Sequence, residues 1–414
     1  MDTNRRVVVT GMGAVTPLGH NVATFWANLC HGHSAVRRIT LFDPTAFRTR
    51  IAAEVTELSV PAVIGPKQAR RMDRFALFGL TAALEAWQDA GLASHNHDPY
   101  AIGVLIGSSH GGEQTLLAEV DNARQVPRKV SPRLIPRMLS NMAAVQVARH
   151  LELRGPSFTI GSACATSAHA IGEAAEIIRR SDATIMVAGG AEACITPLTL
   201  AGDQALGALS ARNDAPEQAS RPFDCDRDGF VLGEGAGVLV LEERDHALQR
   251  GAQIYAELVS YATTTDALHE THPEATGIHA ARAITRALAK AGLTATEIDA
   301  IFAHATSTII GDRAEAQALR LALGTETTRI PVTAIKSMLG HLLGGAGATQ
   351  AIAAIKALEC QALPPIRNLE QPDPDCALQF VTSRVMPASL THILSNSFGF
   401  GGHNVALLFG RHRD

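Results

Sequence analysis

The chain has 414 residues, 46% of them hydrophobic and 18% charged, with a formal net charge of −4. That balance supports a large folded core of two or three domains and excludes extensive disorder and a general nucleic-acid binder. Six scattered cysteines (Cys30, Cys164, Cys194, Cys225, Cys360, Cys376) form no CxxC pair and read as reduced thiols, not a disulfide framework. No apolar run reaches the roughly 18 residues of a transmembrane helix. The start passes from Arg5-Arg6 straight into an apolar strand without a signal-like region, so a soluble cytoplasmic protein off the membrane is expected.

Strands and helices alternate along the chain. Residues 7–13 read as a strand running into a glycine turn, 21–30 as a helix, and 42–60 as mostly irregular with one short strand. A long helix is predicted over 69–90, stopped by Gly91, then a buried strand over 102–108. A polar loop follows, and 131–151 contains a helix. Residues 156–160 read as a strand that meets small residues, then Cys164, then a helix over 165–180. A strand at 183–190 precedes a loop-rich region, 191–232, with one or two short helices. Strands are predicted at 238–242 and 254–263, a helix at 275–292, a strand at 300–305 and a helix at 311–323. A strand at 332–336, a helix at 347–360 and closing strands at 391–397 and 405–409 complete the chain. The alternation predicts an α/β protein with largely buried sheets.

The order of features repeats. Residues 84–92 and 287–293 are both helix ends closing on Ala-Gly-Leu, each followed by a linker and a strand. Strand–Cys164–helix is matched by strand–His341–helix, and the glycine-rich 233–238 by 401–405. Ala-Gly-Leu is a common helix end, but three echoes in one order favour an internal duplication, with halves at 1–250 and 251–414. No Pro/Ser/Gly linker separates them, so they are expected to pack as one body.

Cys164 falls where a strand gives way to a helix. Unpaired N–H groups and the positive end of the helix dipole favour a thiolate there. Ser162, Ala163, Ala165 and Ser167 leave room for a substrate beside the sulfur. On this stretch alone the alternative is a buried, inert cysteine. Three later stretches favour chemistry. In 302–308 a buried strand runs out into His304 and hydroxyl residues. In 336–347 a strand ends at Lys336, and His341 follows among glycines before a helix. In 395–404 the glycines permit positive φ and bring backbone N–H groups close to a ligand. Of 17 histidines, many, His95 among them, read as structural or surface residues; His304 and His341 differ because each sits at a strand end beside small residues.

Together these stretches resemble the β-ketoacyl-[acyl carrier protein] synthases, condensing enzymes of the type I/II class with a Cys-His-His active site. The resemblance spans nearly the full length. It rests on Val9-Thr-Gly-Met-Gly13, Gly155-Pro-Ser, Ser162-Ala-Cys164, Arg221-Pro-Phe-Asp-Cys-Asp-Arg-Asp-Gly-Phe230, Gly233-Glu-Gly-Ala-Gly237, His304-Ala-Thr-Ser-Thr308, Lys336-Ser-Met-Leu-Gly-His341 and Asn396-Ser-Phe-Gly-Phe-Gly-Gly402, in the family's order. It implies a thiolase-like fold, two duplicated α/β halves in a five-layer αβαβα sandwich, usually as a homodimer, with a heterodimer also open.

The resemblance also implies roles. Cys164 is expected to take an acyl group from a carrier-protein thioester, with its own N–H and that of Phe400 as the oxyanion hole. His304 and His341 are expected to hydrogen-bond the malonyl thioester oxygen while CO2 leaves and an enolate forms. The reaction is then a decarboxylative Claisen condensation that needs no metal or redox cofactor. Lys336 would support the site electrostatically. Glu315 matches a family acidic residue near it, the alternative being an ordinary solvated helix charge. Thr306 and Thr308 match hydroxyls that hold the pantetheine arm. Phe398, Gly399 and Gly401 are assigned to substrate binding beside Phe400, a mobile gate over the acyl pocket. Lys67, Arg70 and Arg71 match the docking cluster for the acidic acyl carrier protein. Arg124, Arg128, Lys129, Arg133 and Arg137 form a second basic run, either a further docking surface or a solvated face.

Several positions depart from the family pattern. Phe302 and Ala305 replace a usual Asn and Gly, Leu339 a common Thr, Ile309-Ile310 a Pro-containing pair, and His403 a usual Thr. None removes a reacting group. They leave a specialised polyene or polyketide pathway open beside fatty-acid elongation. A third reading, a non-catalytic chain-length-factor-like partner, is opposed by the presence of Cys164 and both histidines. A degradative thiolase needs a second cysteine in the C-terminal glycine-rich loop, and 396–404 has none. An initiating synthase using Cys-His-Asn is opposed by His341.

Overall fold

The computed structural model describes residues 5–58, 60–92, 97–382 and 384–412. His95 lies outside them. Eleven strands make one mixed sheet: β1 (Val7–Val15), β2 (Ile102–Gly107), β3 (Ser157–Phe158), β4 (Ile185–Glu192), β5 (Gly235–Glu243), β6 (Ala256–Thr265), β7 (Ala300–Phe302), β8 (Pro331–Thr333), β9 (Gln379–Phe380), β10 (His392–Gly399) and β11 (His403–Gly410). From the two edges inward the order is β3-β2-β4-β5-β1 and, inside the edge strand β9, β8-β7-β10-β11-β6. Both runs place their strands third, second, fourth, fifth, first. Both pair the second strand in parallel with its two neighbours and the remaining strands antiparallel. The runs meet at a short antiparallel seam, where Val8 and Val9 of β1 face Glu257 and Ala256 of β6.

Helices cover this sheet in three layers. Helices α1 (Arg74–Asp89) and α2 (Met142–Leu151) pack on the outer face of the first run. Helices α4 (Ile278–Ala291) and α5 (Ile309–Leu323) do so on the second. Between the runs, α3 (Thr166–Arg179) and α6 (Ala346–Cys360) pack on each other and on both sets of strands. The result is the five-layer αβαβα sandwich that the resemblance implies. The central helices are built from small residues because both runs of strands and a second helix press on them from all sides. A methyl group at Gly347 of α6 would lie 2.7 Å from the backbone nitrogen of Ala168 in α3. Helix α6 is accordingly buried on nearly every face from Ala346 to Leu358, as expected of a helix without a solvent side.

Three expectations shift. The helix predicted over 69–90 begins at Arg74, because Asp73 caps it by accepting from the Phe75 N–H at 3.3 Å, while Gly65–Ala69 forms a separate short helix. The polar loop predicted after 108 contains a helix, Glu113–Gln125, in which only Glu113 and Thr115 are buried; its solvated faces leave no apolar periodicity to read. The strand predicted over 332–336 ends at Thr333, and Lys336 opens a short helix, Lys336–Leu339. Among the described residues no helix is long and apolar enough to cross a membrane.

Candidate active site

Cys164 lies in the tight turn Ala163–Ala165, directly before α3. Ala163 holds this turn at φ 48°, in the left-handed region that disfavours a side chain. The expectation of a resting thiolate is corrected here. Burial pushes the Cys164 thiol up to about 12, against the pull of the Lys336 charge and a hydrogen bond from the Phe400 N–H. Only 7% of the residue is exposed, so desolvation of a thiolate outweighs the favourable charges. The small residues around it are also not all open space for substrate. Ser162 Oγ meets His169 Nδ1 at 2.8 Å, Ser167 Oγ accepts from the Ala348 N–H at 2.9 Å, and Ala165 is fully buried. Of the four, Ala163 alone borders the adjoining cavity.

That cavity, of about 440 Å³, is lined by Cys164, His304, His341, Phe398 and Phe400 together. The two imidazoles stand nearly perpendicular, 5.5 Å between ring centres. Phe398 lies 5.8 Å from the His304 ring and Phe230 5.4 Å from the His341 ring. Among the described residues, Nδ1 of His304 and both ring nitrogens of His341 are buried without a hydrogen-bond partner. Burial pushes both rings well below the usual histidine range, and the Lys336 charge adds to it, so both are neutral near pH 7. His341 does not follow a strand directly, as expected from sequence. Its N–H instead donates to the Val231 carbonyl at 2.8 Å and its carbonyl accepts from the Gly233 N–H at 2.9 Å. The glycine-rich stretch 233–237 thus helps to fix a histidine from the other half of the chain.

Glu315 is 2% exposed, which rules out a solvated helix charge. Its two oxygens accept from the backbone N–H groups of His304 and Ala305 at 2.8 and 2.7 Å. Ala305 and Ser307 have φ of 36° and 72°, so this carboxylate pins a strained loop. Lys336 is buried behind the same loop. Its Nζ donates to the His304 carbonyl at 2.5 Å and does not border the cavity, which makes it a positioning residue. Burial lowers its pKa to about 8. The Arg221–Phe230 motif adds a second clamp. Asp312 accepts from the N–H groups of Ser307 and Phe223 at 3.1 and 2.8 Å and lies 3.3 Å from Arg227.

Thr306 and Thr308 border the cavity, their hydroxyls 3.0 Å apart. Phe400 stands at the turn between β10 and β11, 37% exposed. Gly399 must be a glycine, because a methyl group there would meet the Ser162 carbonyl at 2.6 Å and the Cys164 nitrogen at 3.2 Å. Gly401 does not border the cavity. It faces the His403 ring, while Gly402 takes a place on the wall. Lys67, Arg70 and Arg71 are exposed on and just beyond the helix Gly65–Ala69, away from the cavity wall. In the second basic run Arg124, Arg128, Lys129 and Arg133 are exposed and Arg137 is half-buried.

Sequence reasoning missed one group altogether. Ser109, His110 and Asp203 also line the cavity. Beneath them Glu192, fully buried at the end of β4, accepts from the Ser109 and Gly344 N–H groups at 2.9 and 3.1 Å. The signal available was an acid closing an otherwise apolar strand.

With this geometry in hand, known proteins give it a family. The β-ketoacyl synthase N-terminal domain matches residues 4–247 and the β-ketoacyl synthase C-terminal domain residues 255–370. The chain is 44% identical to a 3-oxoacyl-[acyl-carrier-protein] synthase 2 of Synechocystis sp., over 99% of both chains. A β-ketoacyl synthase from Burkholderia phymatum superposes with a TM-score of 0.92 at 38% identity, covering 99% of this chain and 100% of that one. A type II PKS ketosynthase, solved with its acyl-carrier protein and bound to the hexaketide, gives 0.91 at 34% identity with the same coverage. By sequence over its full length and by fold, this chain belongs to the β-ketoacyl synthase family.

Proposed function

We propose that this chain is a 3-oxoacyl-[acyl carrier protein] synthase, an acyltransferase that lengthens fatty-acyl chains by decarboxylative Claisen condensation. One observation carries the reading: a cysteine thiol, two neutral histidines with unpartnered ring nitrogens and a backbone N–H at the sulfur share one cavity. Cys164 Sγ attacks the thioester carbon of an acyl carrier protein. A neutral imidazole of the pair takes the thiol proton, which burial otherwise holds on sulfur, and passes it to the departing carrier thiolate. The N–H groups of Cys164 and Phe400 stabilise the tetrahedral oxyanion. Malonyl carrier protein then binds, and His304 and His341 donate to its thioester oxygen while the carboxylate departs as CO2. The resulting enolate carbon attacks the acyl-Cys164 carbonyl. A carbon–carbon bond forms, the carbon–sulfur bond breaks, and the Cys164 thiolate that leaves takes a proton from solvent through an imidazole of the pair.

Residues 1–250 supply the nucleophile in this reading. Residues 251–414 supply His304, His341, Phe400 and the positioning residues Lys336 and Glu315. Thr306 and Thr308 receive the pantetheine arm, and Phe398, Gly399 and Gly402 flank the acyl group. Lys67, Arg70 and Arg71 dock the acidic carrier protein. The enzyme acts as a homodimer in the cytoplasm, which suits its free cysteines. The test is intact-mass spectrometry after incubation with acyl carrier proteins from C4 to C18, beside Cys164→Ala. An acyl adduct on the wild type and none on the variant is the expected result. No adduct from any donor would overturn the assignment in favour of a non-catalytic partner subunit.

A further inference from the structure

The wall of the cavity contributed by the first half of the chain is not all hydrocarbon. Ser109 and His110, from the loop after β2, and Asp203, from the helix Pro197–Ala205, line it together with Cys164 and Leu206. This is a built polar surface. Glu192 anchors it from below, accepting from the Ser108 hydroxyl at 2.9 Å, from the N–H groups of Ser109 and His110 at 2.9 and 3.2 Å, and from the Gly344 N–H at 3.1 Å. The Gly344 bond ties the loop to the turn that follows His341. His110 Nδ1 lies 3.1 Å from Ser109 Oγ and 3.8 Å from the Glu192 carboxylate. About a third of its side chain is accessible. Asp203 Oδ2 is buried with no hydrogen-bond partner among the described residues. Glu113, which opens the helix Glu113–Gln125, is already engaged by the hydroxyls of Thr196 and Thr199 at 3.0 and 2.8 Å.

An unbranched alkyl chain laid along this wall would strip water from an imidazole and a carboxylate and return no hydrogen bond to either. A hydroxyl on the chain could serve both, accepting from His110 and donating to Asp203. The Thr306–Thr308 wall, on the other half, takes the carrier arm, so the His110–Asp203 wall is left for the acyl group. This assignment rests on the ketosynthase reading above. We propose that His110 and Asp203 are specificity-determining residues that select acyl chains bearing a hydroxyl over plain saturated chains of the same length. A site that hydrogen-bonds a substrate hydroxyl discriminates far more strongly than one that merely has room for it.

The test uses the wild-type enzyme, His110→Leu, Asp203→Leu and the shape-conserving Asp203→Asn. Each is incubated with octanoyl carrier protein and with carrier proteins bearing octanoyl hydroxylated at C3, C5, C7 or C8. Mass spectrometry follows the rate of Cys164 acylation, with Cys164→Ala as the blank. The expected result is loading of one hydroxylated chain about 10- to 100-fold faster than octanoyl, with that ratio collapsing toward one in the two leucine variants and falling less in Asp203→Asn, which keeps an acceptor. Two outcomes would overturn the inference and leave the ketosynthase reading standing. One is that octanoyl loads as fast as every hydroxylated chain. The other is that the wild type accepts only short chains and His110→Leu admits octanoyl with no hydroxyl preference lost, which makes His110 a steric end wall. Failure of every donor to reach Cys164 would overturn both readings.

Discussion

The loops that follow β2 and β7 leave the second strand of each half, and each carries a histidine to the cavity. Each is also clamped by one buried carboxylate through backbone N–H groups, Glu192 for His110 and Glu315 for His304. The two histidines are nevertheless pushed in opposite directions. Burial pushes His304 well below its ordinary range, and the cation Lys336 reinforces it. Burial also opposes charge on His110, but Glu192, Glu113 and Asp203 outweigh it and raise the pKa. A carboxylate clamp therefore does not by itself fix the charge of the ring it positions. Glu192 is the leading cause that raises His110, whereas at His304 burial and the positive Lys336 prevail. One loop presents a neutral donor suited to a developing enolate, the other a ring that holds its proton more readily.

The largest expected effect breaks the comparison on the His304 side. Loss of one donor to a developing oxyanion costs about 3–4 kcal/mol, or 10²- to 10³-fold in rate. His304→Ala and His341→Ala should each reduce CO2 release from malonyl carrier protein by that factor, while acylation of Cys164, read by mass, falls far less. Because both rings titrate well below 6.5, decarboxylation by the wild type should be level between pH 6 and 8. A tenfold decline on raising the pH across that interval would mean that a charged imidazolium does the work, and would sink the contrast with His110.

The clamps come next. Glu315→Ala strands two buried backbone N–H groups and the Asn396 amide, and Glu192→Ala strands three backbone N–H groups and two hydroxyls, at about 1–3 kcal/mol for each unsatisfied donor with partial relaxation. Denaturant melts should show a loss of about 2–4 kcal/mol for either, and a smaller loss for the glutamine variants, which keep one acceptor. Glu192→Ala should be the more damaging, since it also releases the Gly344 turn beside His341. Equal losses would mean that the two loops are simply equivalent structural supports.

A smaller effect separates the cations from the carboxylates. Lys336 stabilises the Cys164 thiolate, and Lys336→Met should slow alkylation of Cys164 by iodoacetamide about fivefold at pH 7. The thiol titrates at about 12, so the wild-type rate should climb throughout pH 7–10 without a plateau. The climb should be shallower above about 8, where Lys336 loses its proton and its pull on the sulfur. A plateau near pH 8 would show a thiol far less buried than described here.

The sequence made the proposed catalytic trio legible because its parts are local. Cys164, His304 and His341 each lie in a short run of small residues whose order is recognisable without coordinates. The alternation of strands and helices was legible for the same reason, and α6 could be read from its largely apolar, alanine-rich composition. The thiol's charge state was not legible, because it depends on burial by segments far away in the chain against a helix-end field that the sequence does suggest. His110 and Asp203 were missed because neither belongs to a motif. They are 93 positions apart in the chain and meet only through the cavity. The helix Glu113–Gln125 was missed because it turns almost nothing inward, so propensity alone had to announce it.

The smallest effect lies where the loops differ in backbone. After β2 the left-handed position is a glycine, Gly111 at φ 63°, whereas after β7 it is Ala305 at φ 36°. Left-handed backbone costs an alanine about 1–2 kcal/mol relative to glycine. Ala305→Gly would recover that. The same change removes a fully buried methyl group worth about 0.8 kcal/mol, and it loosens the unfolded chain by about 0.4–1 kcal/mol. These nearly cancel, so the melting free energy should stay within about 0.5 kcal/mol of wild type. The His304 loop, with one side chain fewer to hold it, should then show faster amide exchange at His304 and Ala305. Stabilisation of 1 kcal/mol or more would show that the clamp by Glu315 is holding real strain in this loop, a burden that Gly111 spares its counterpart.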